Sequence, residues 1–216
     1  LPPMVVEEDP SLEGGWRAVR VDLKGPIRTE TVDQVQRIIT KQMHDRDVNF
    51  VCLWIESAGG ESSEAMRLAN FLAFDLDPGK VRTVAYVPNE ARSDAAIVAL
   101  ACDQLVMHPG ATLGGSGDYE PSADEIEQAR QSIRKALAPR KGRSWSLMAA
   151  IIDPNLTVFR VSRLGDIEYF CDEELHEQPD AAKWKRGETI STPGRPLRVT
   201  GTQAEELRLA NRLVDN

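Results

Sequence analysis

Val19, Val21 and Leu23 alternate with polar Arg20 and Asp22, which predicts a strand over residues 17–23 with one polar face; Gly25-Pro26 ends it. Val32, Val35, Ile38, Ile39 and Met43 then recur at helical spacing. Phe50-Val51-Cys52-Leu53-Trp54-Ile55 is a continuous apolar run, short enough for a buried strand. Ala65, Leu68, Ala69 and Leu72 mark a second amphipathic helix, and residues 83–87 (Thr-Val-Ala-Tyr-Val) a third strand. Ala95 to Ala101 reads as a small, apolar helix buried on most sides, and Leu105-Val106-Met107 as a fourth strand. Parallel strands need crossovers of about this length, so the alternation predicts an α/β fold of repeated βα units with helices covering a parallel sheet.

The pattern changes after Gly117. Residues 121–138 form a polar helix with Arg134 and Lys135 toward its end, where cations suit the helix dipole. Val158–Val161 and Ile167–Phe170 flank Gly165-Asp166, a hairpin signal, and Pro179, Pro193 and Pro196 punctuate the stretch beyond the hairpin. Residues 202–213 close the chain as a helix, with Thr200 or Thr202 available as its cap. The expected division is an arm or linker over 1–15, a core over 16–143, a β-rich insertion with a hairpin over 144–198, and a closing helix over 199–216 that completes the core.

The chain has 216 residues and a net charge of −8, and its 41% hydrophobic and 28% charged content is that of a globular domain, not a disordered one. The acidic balance argues against a nucleic-acid-coating protein. Trp54, Trp145 and Trp184 are too scattered for a base-stacking platform, and the basic residues from Arg130 to Arg143 read as a solvated face. No apolar run approaches the roughly 20 residues that span a bilayer. The chain opens Leu-Pro-Pro, which suggests a fragment or processed form of a longer parent. Cys52 and Cys102 lie in apolar runs as free thiols, and neither they nor Cys171 with His176 has metal-ligand spacing, so no metal site is expected.

Two glycine turns follow apolar strands: Glu56-Ser57-Ala58-Gly59-Gly60 and Leu113-Gly114-Gly115-Ser116-Gly117. Neither is a phosphate loop, because the first lacks a Lys-Ser/Thr ending and neither opens a helix in the G-x-G-x-x-G manner. Consecutive glycines can leave backbone N–H groups free to hold an oxyanion, or can serve only as tight turns. Ser93 precedes the Ala95–Ala101 helix, where it is either an N-cap or a nucleophile favoured by the helix dipole and free N–H groups.

Taken together these pieces resemble the ClpP-class serine peptidases of the ClpP/crotonase fold, most closely the NfeD and SppA-like branch. Val19–Ile27 looks like that branch's opening strand and G-P-I turn, and Leu53–Gly60 is similar to its D-T-P-G-G element. Ala91-Arg92-Ser93, the 95–102 helix and Val106-Met107-His108-Pro109 look like its serine helix and following strand. Thr200–Leu207 with Leu213-Val214-Asp215 resembles its closing element, and the segment from Ile152-Asp153-Pro154 resembles an insertion of longer NfeD-type members.

The resemblance implies Ser93 as nucleophile, and backbone N–H groups of Gly59, Gly60 and Asp94 as the oxyanion hole. It implies a substrate groove at Gly114 and Gly115, and a lysine base. The family's lysine position falls near Glu125, where no lysine stands; Lys135, ten residues on, or a lysine from a neighbouring subunit, is the candidate, and Glu125 an unconventional one. His108 reads as structural. A peptide or protein substrate is implied, with no cofactor and no nucleic acid. So are a homo-oligomer and a membrane-anchored parent that places this domain outside the cytoplasm. The rival readings are a non-catalytic relative that binds peptide or serves assembly, and a crotonase-type acyl-CoA enzyme.

Overall fold

Residues 15–215 are described by a computed structural model; the expected arm at 1–15 lies almost wholly outside them. The alternation at the start becomes β1 (Ala18–Lys24), in which Val21 and Leu23 are buried and Arg20 and Asp22 exposed. A helix, α1 (Thr29–Arg46), buries Val32, Val35 and Ile39 and leads to β2 (Phe50–Glu56). The apolar run of β2 is not equally buried on both faces. Val51, Leu53 and Ile55 are fully enclosed, while Cys52 and Trp54 are half-buried, with the Arg20 guanidinium stacked 3.7 Å over the Trp54 ring.

Next come α2 (Ser62–Asn70), extended by a π-helical turn at Phe71–Asp75, and β3 (Arg82–Val87). A two-residue strand, β4 (Glu90–Ala91), hands the chain to α3 (Asp94–Ala101), every residue of which is buried. Its alanines let this helix sit inside the core without overpacking it, and alanine is the best intrinsic helix former. β5 (Gln104–Met107) and β6 (Thr112–Gly114) follow.

The polar helix is α4 (Ala123–Ser132), continued by a π-helical segment at Ile133–Leu137 and by α5 (Ala138–Lys141). The block 144–198 enters the core at its start. In α6 (Trp145–Ala149) every residue is buried, and the burial runs on through Ile152. The hairpin at Gly165-Asp166 is β7 (Val158–Arg163) with β8 (Asp166–Phe170). After α7 (Asp172–Glu177), β9 (Lys185–Ser191) joins β7 antiparallel.

The chain closes with β10 (Arg198–Thr200), α8 (Gly201–Glu206) and β11 (Arg212–Leu213). This corrects the single closing helix expected over 202–213: the helix stops at Glu206, and the chain turns to add a strand beside β5. Thr200 caps α8 in a reciprocal capping box with Gln203.

Three sheets result, in the orders β1-β2-β3-β5-β11, β10-β6-β4 and β8-β7-β9. The first is parallel throughout, as the βα alternation predicts. The second is small and mixed. It sets two turns side by side, because β4 leads into the turn at Ser93 and β6 into the second glycine turn, whose Gly115 carbonyl accepts the Ser93 N–H.

Candidate active site

Ser93 stands where β4 becomes α3, at φ 47° and ψ −129°. A non-glycine residue at positive φ is strained, and such strain persists only where the surroundings over-determine it. Here they do. The Ser93 N–H donates to the Gly115 carbonyl at 3.1 Å, its carbonyl accepts the Ala96 N–H at 3.0 Å, and the preceding Arg92 N–H donates to the Ser57 carbonyl at 2.9 Å. A sharp strand-to-helix turn of this kind lifts a side chain out of the backbone layer, which is how hydrolase nucleophiles are commonly presented.

The glycines explain the close packing around it. A Cβ on Gly59, which has φ +95°, would lie 3.0 Å from the Ser93 Cβ. One on Gly117 would lie 2.8 Å from the same atom and 2.3 Å from the Ala58 carbonyl oxygen. On Gly60 it would meet the Ile27 carbonyl at 2.2 Å. The two glycine turns therefore converge on Ser93 because neither carries side chains there. Gly117 belongs to the turn the sequence offers but was not among the site residues expected from it.

The donors divide. Gly59 N–H donates to Ser57 Oγ at 3.1 Å, so in this conformation it is already engaged. Gly60 N–H has no acceptor among the described residues, since the chain pairs there through the Gly59 carbonyl and the Glu61 N–H, both bonded to Ile27. Asp94 opens α3, so its N–H has no preceding turn to receive it, and it turns instead to the residue's own carboxyl, which has to release it before it can serve an oxyanion. Gly114 and Gly115 hold a strap: Gly114 pairs with Arg198 in β10, and the Gly115 N–H donates to the Leu197 carbonyl at 2.8 Å.

The group in contact with the serine is a carboxylate. Ser93 Oγ donates to Asp94 Oδ2 at 3.3 Å, and Ser62 Oγ donates to Asp94 Oδ1 at 3.0 Å. All three residues are buried. Burial pushes the Asp94 carboxyl above its usual range, against the lowering effect of the Ser62, Ser93 and own-backbone hydrogen bonds, and the Glu125 charge pushes it the same way as burial. Sequence reasoning counted only the Asp94 backbone; the Ser62–Asp94 contact joins residues 32 apart, and only the position of Ser62 just after Gly59-Gly60 hints at it.

The other candidates lie elsewhere. Lys135 is exposed on the Ile133–Leu137 segment, and the Ser93 side chain has no hydrogen bond to it. Glu125 caps α4, accepting the Ser122 N–H at 2.8 Å, the Ser122 hydroxyl at 2.8 Å and the Tyr119 hydroxyl at 3.1 Å. The Ser122 N–H first, then its hydroxyl, hold the Glu125 carboxyl below the usual range. His108 Nδ1 accepts the Gly110 N–H at 3.1 Å within its own turn. Cys102 is buried, which pushes its thiol up to about 12, and Cys171 accepts the Glu174 N–H at the head of α7. Among the described residues no group of three or more His, Cys, Asp or Glu is placed to hold a metal ion, and no helix is long and apolar enough to cross a membrane.

Neither a protein-family model nor a curated protein matches the chain in sequence. Solved structures do match in shape. A lysine-to-alanine mutant of the 1510-N membrane-bound stomatin-specific protease, in complex with a substrate peptide, superposes with a TM-score of 0.62 at 17% identity, over 93% of this chain and 76% of that one. A serine-to-alanine mutant of the same protease gives 0.61 at 16% identity, over 93% and 81%. An N-to-D mutant of ClpP1 from Listeria monocytogenes gives 0.58 at 13% identity, over 91% of each chain. The chain has the ClpP-class fold, with Ser93 at the head of its buried helix.

Proposed function

We propose that this domain is a serine peptidase of the ClpP class, acting by acyl transfer at Ser93. The observation that carries the reading is the over-determined strain at Ser93: a serine serving only as a helix cap needs no positive φ, and its side chain makes no cap bond. Ser93 Oγ attacks the peptide carbonyl carbon, and the Gly60 and Asp94 N–H groups receive the carbonyl oxygen as it becomes anionic. The hydroxyl proton passes to Asp94 Oδ2, the acceptor it already contacts. The carboxylate next to the oxyanion is then neutralised in the step that creates the oxyanion, so the two negative charges do not coexist. The same proton goes to the leaving amine, and water hydrolyses the acyl-enzyme by the reverse sequence. With Asp94 as acceptor, neither Lys135, exposed and without a hydrogen bond from Ser93, nor a lysine of a neighbouring copy is required for this step.

The test is covalent labelling by a fluorophosphonate. Wild-type protein is expected to label and Ser93→Ala not to; folded protein that stays unlabelled across the neutral and alkaline range sinks the reading. A second reading, a peptide-binding relative without turnover, is favoured by one observation: among the described residues no lysine is hydrogen-bonded to Ser93. It predicts peptide binding with no labelling and no cleavage. The same family reading expects a homo-oligomer within a membrane-anchored parent, for which light scattering of the purified domain and fractionation of the full-length protein are the checks.

A further inference from the structure

Beside Ser93, on the Gly115 side, lies an open cavity of about 570 Å³. Its lining includes Gly115, Ser116, Arg92, Arg195, Leu197 and Arg198. Three arginines thus line one space. Arg92 is neutralised by Glu90 at 2.9 Å and Asp118 at 3.1 Å, and it also donates to the Ser116 carbonyl at 3.1 Å. Arg195 and Arg198 have no carboxylate within ion-pair distance among the described residues. The stem of Arg198 lies over Gly115, where an added Cβ would meet its Cβ at 3.0 Å and its Cγ and Cδ at 3.2 Å, and its guanidinium makes only a 3.4 Å bond to the Thr112 hydroxyl.

The wall that carries these arginines is held in place. Ser191 Oγ donates to the Leu156 carbonyl at 2.7 Å, Gly194 N–H to the Pro154 carbonyl at 2.8 Å, and Leu197 N–H to the Ala150 carbonyl at 2.6 Å. The Leu197 carbonyl accepts the Gly115 N–H, and Gly115 in turn accepts the Ser93 N–H. Two hydrogen bonds therefore tie the strap to the backbone of the candidate nucleophile. The backbone that carries the arginines is thus pre-set, which limits the ordering needed to receive an anion. The opposite flank, a cavity of about 470 Å³ along Gly59 and Gly60, has no such surplus of cations: of its acids Glu56 is paired with Lys24, and Glu90 and Asp118 with Arg92, and its other charged lining residues are Glu61 and Arg28.

We infer that the Arg92–Arg195–Arg198 cavity is a carboxylate subsite, which takes an acidic side chain or the C-terminal carboxylate of a peptide lying across Ser93. This rests on the reading that a peptide is the ligand at Ser93. Arginine's planar fork matches a carboxylate in a bidentate manner, and Arg195 and Arg198 have that capacity unspent. An anionic group is drawn to Arg195 and Arg198, whose charges no carboxylate among the described residues offsets, so the charge pattern also favours one direction for the peptide.

The experiment is calorimetric binding at low ionic strength, on a Ser93→Ala background so that turnover plays no part. One short peptide is prepared with Glu, Gln or Lys at a single position, each with a free or an amidated C-terminus. Wild-type pocket is expected to favour a carboxylate form over its neutral counterpart by about tenfold, with the advantage shrinking as salt rises. Preference for Glu over Gln identifies a side-chain carboxylate, and preference for free acid over amide identifies the C-terminus. Arg195→Glu is expected to abolish or invert that preference, and Arg198→Ser to weaken it. Equal binding of Glu, Gln and Lys forms with acid and amide alike, no binding at all, or a preference that survives both variants overturns the inference. Fluorophosphonate labelling keeps the two claims apart: labelling without charge preference removes the subsite only, and charge preference without labelling removes the peptidase reading only.

Discussion

Asp94 and Glu174 are two buried carboxyls whose pKa values are raised above the usual range, in both cases chiefly by burial. Their surroundings differ. Glu174 receives the Trp145 N–H at 3.1 Å, the Ser146 N–H at 3.0 Å, the Ser144 hydroxyl at 2.8 Å and the Ser146 hydroxyl. It gathers the start of α6 onto α7, and its lone pairs are filled by donors from that one turn. Asp94 receives two hydroxyls, one of them the candidate nucleophile's, and beside them its own backbone N–H and none from another described residue. A hydroxyl can rotate away or give up its proton; a backbone N–H cannot. The same burial therefore produces a structural anchor at Glu174 and a group able to exchange a proton at Asp94.

The largest expected effect separates the two in rate. Asp94→Asn removes the acceptor for the Ser93 proton, and fluorophosphonate labelling is expected to slow by about 10²-fold or more, the usual weight of a general base. Labelling of wild type should fall with acid along a limb whose midpoint lies above the ordinary aspartate value, because a protonated Asp94 accepts nothing. Unchanged labelling by Asp94→Asn, or a rate that does not fall in acid, breaks the assignment of Asp94 as base while leaving Ser93 in place.

Stability should separate them in the opposite sense. Glu174→Gln places an amide N–H₂ among four donors, leaving buried donors unsatisfied, and is expected to cost about 2 kcal/mol. Asp94→Asn keeps the Ser62 bond and removes a charge that burial disfavours. A native carboxyl with a raised pKa keeps its proton after the unfolded chain has lost one, so stability falls as pH rises from the ordinary carboxyl range through the native value. Asp94→Asn escapes that loss. Its melting temperature at neutral pH is expected to equal or exceed wild type's, with any gain vanishing in acid below the ordinary aspartate range. Thermal melts at the two pH values decide it; a clear drop at neutral pH would make Asp94 a structural anchor like Glu174.

This contrast marks where the sequence stops being readable. The strands β1, β2, β3 and β5 arise from runs of four to seven residues with a hydrophobic signal. The second sheet, with strands of two or three residues in β4, β6 and β10, has no room for a period. β11 was hidden in the same way, a two-residue strand beyond a turn in which Arg208 sits at φ 59°. Ser93 and Gly59 were legible as a pair only because their turns lie in a recognisable order along the chain. The carboxylate that touches Ser93 was in view as the next residue. Its partner Ser62 was not, because a contact across 32 residues depends on how α2 packs on α3. The long polar helix showed Lys135 as a cation but not the direction it faces, since its π-helical turn breaks the 3.6-residue register.

The smallest effects are two shifts of the same acid limb in opposite directions. Ser62 stabilises the ionised Asp94 by donating to it, so Ser62→Ala raises the Asp94 pKa and moves the limb toward neutral pH, with labelling slowed by about three- to tenfold as the carboxylate loses its second tether. Glu125 acts through charge alone, opposing ionisation of Asp94. Glu125→Gln removes that charge while glutamine still serves the capping box with Ser122, so α4 keeps its cap and the limb moves toward lower pH. Glu174→Gln, beside α6, should shift it in neither direction. Labelling profiles of the three variants against pH thus test whether the titrating group is Asp94 itself. A limb that moves the same way for Ser62→Ala and Glu125→Gln, or not at all, assigns the titration to another group and removes Asp94 from the proton's path.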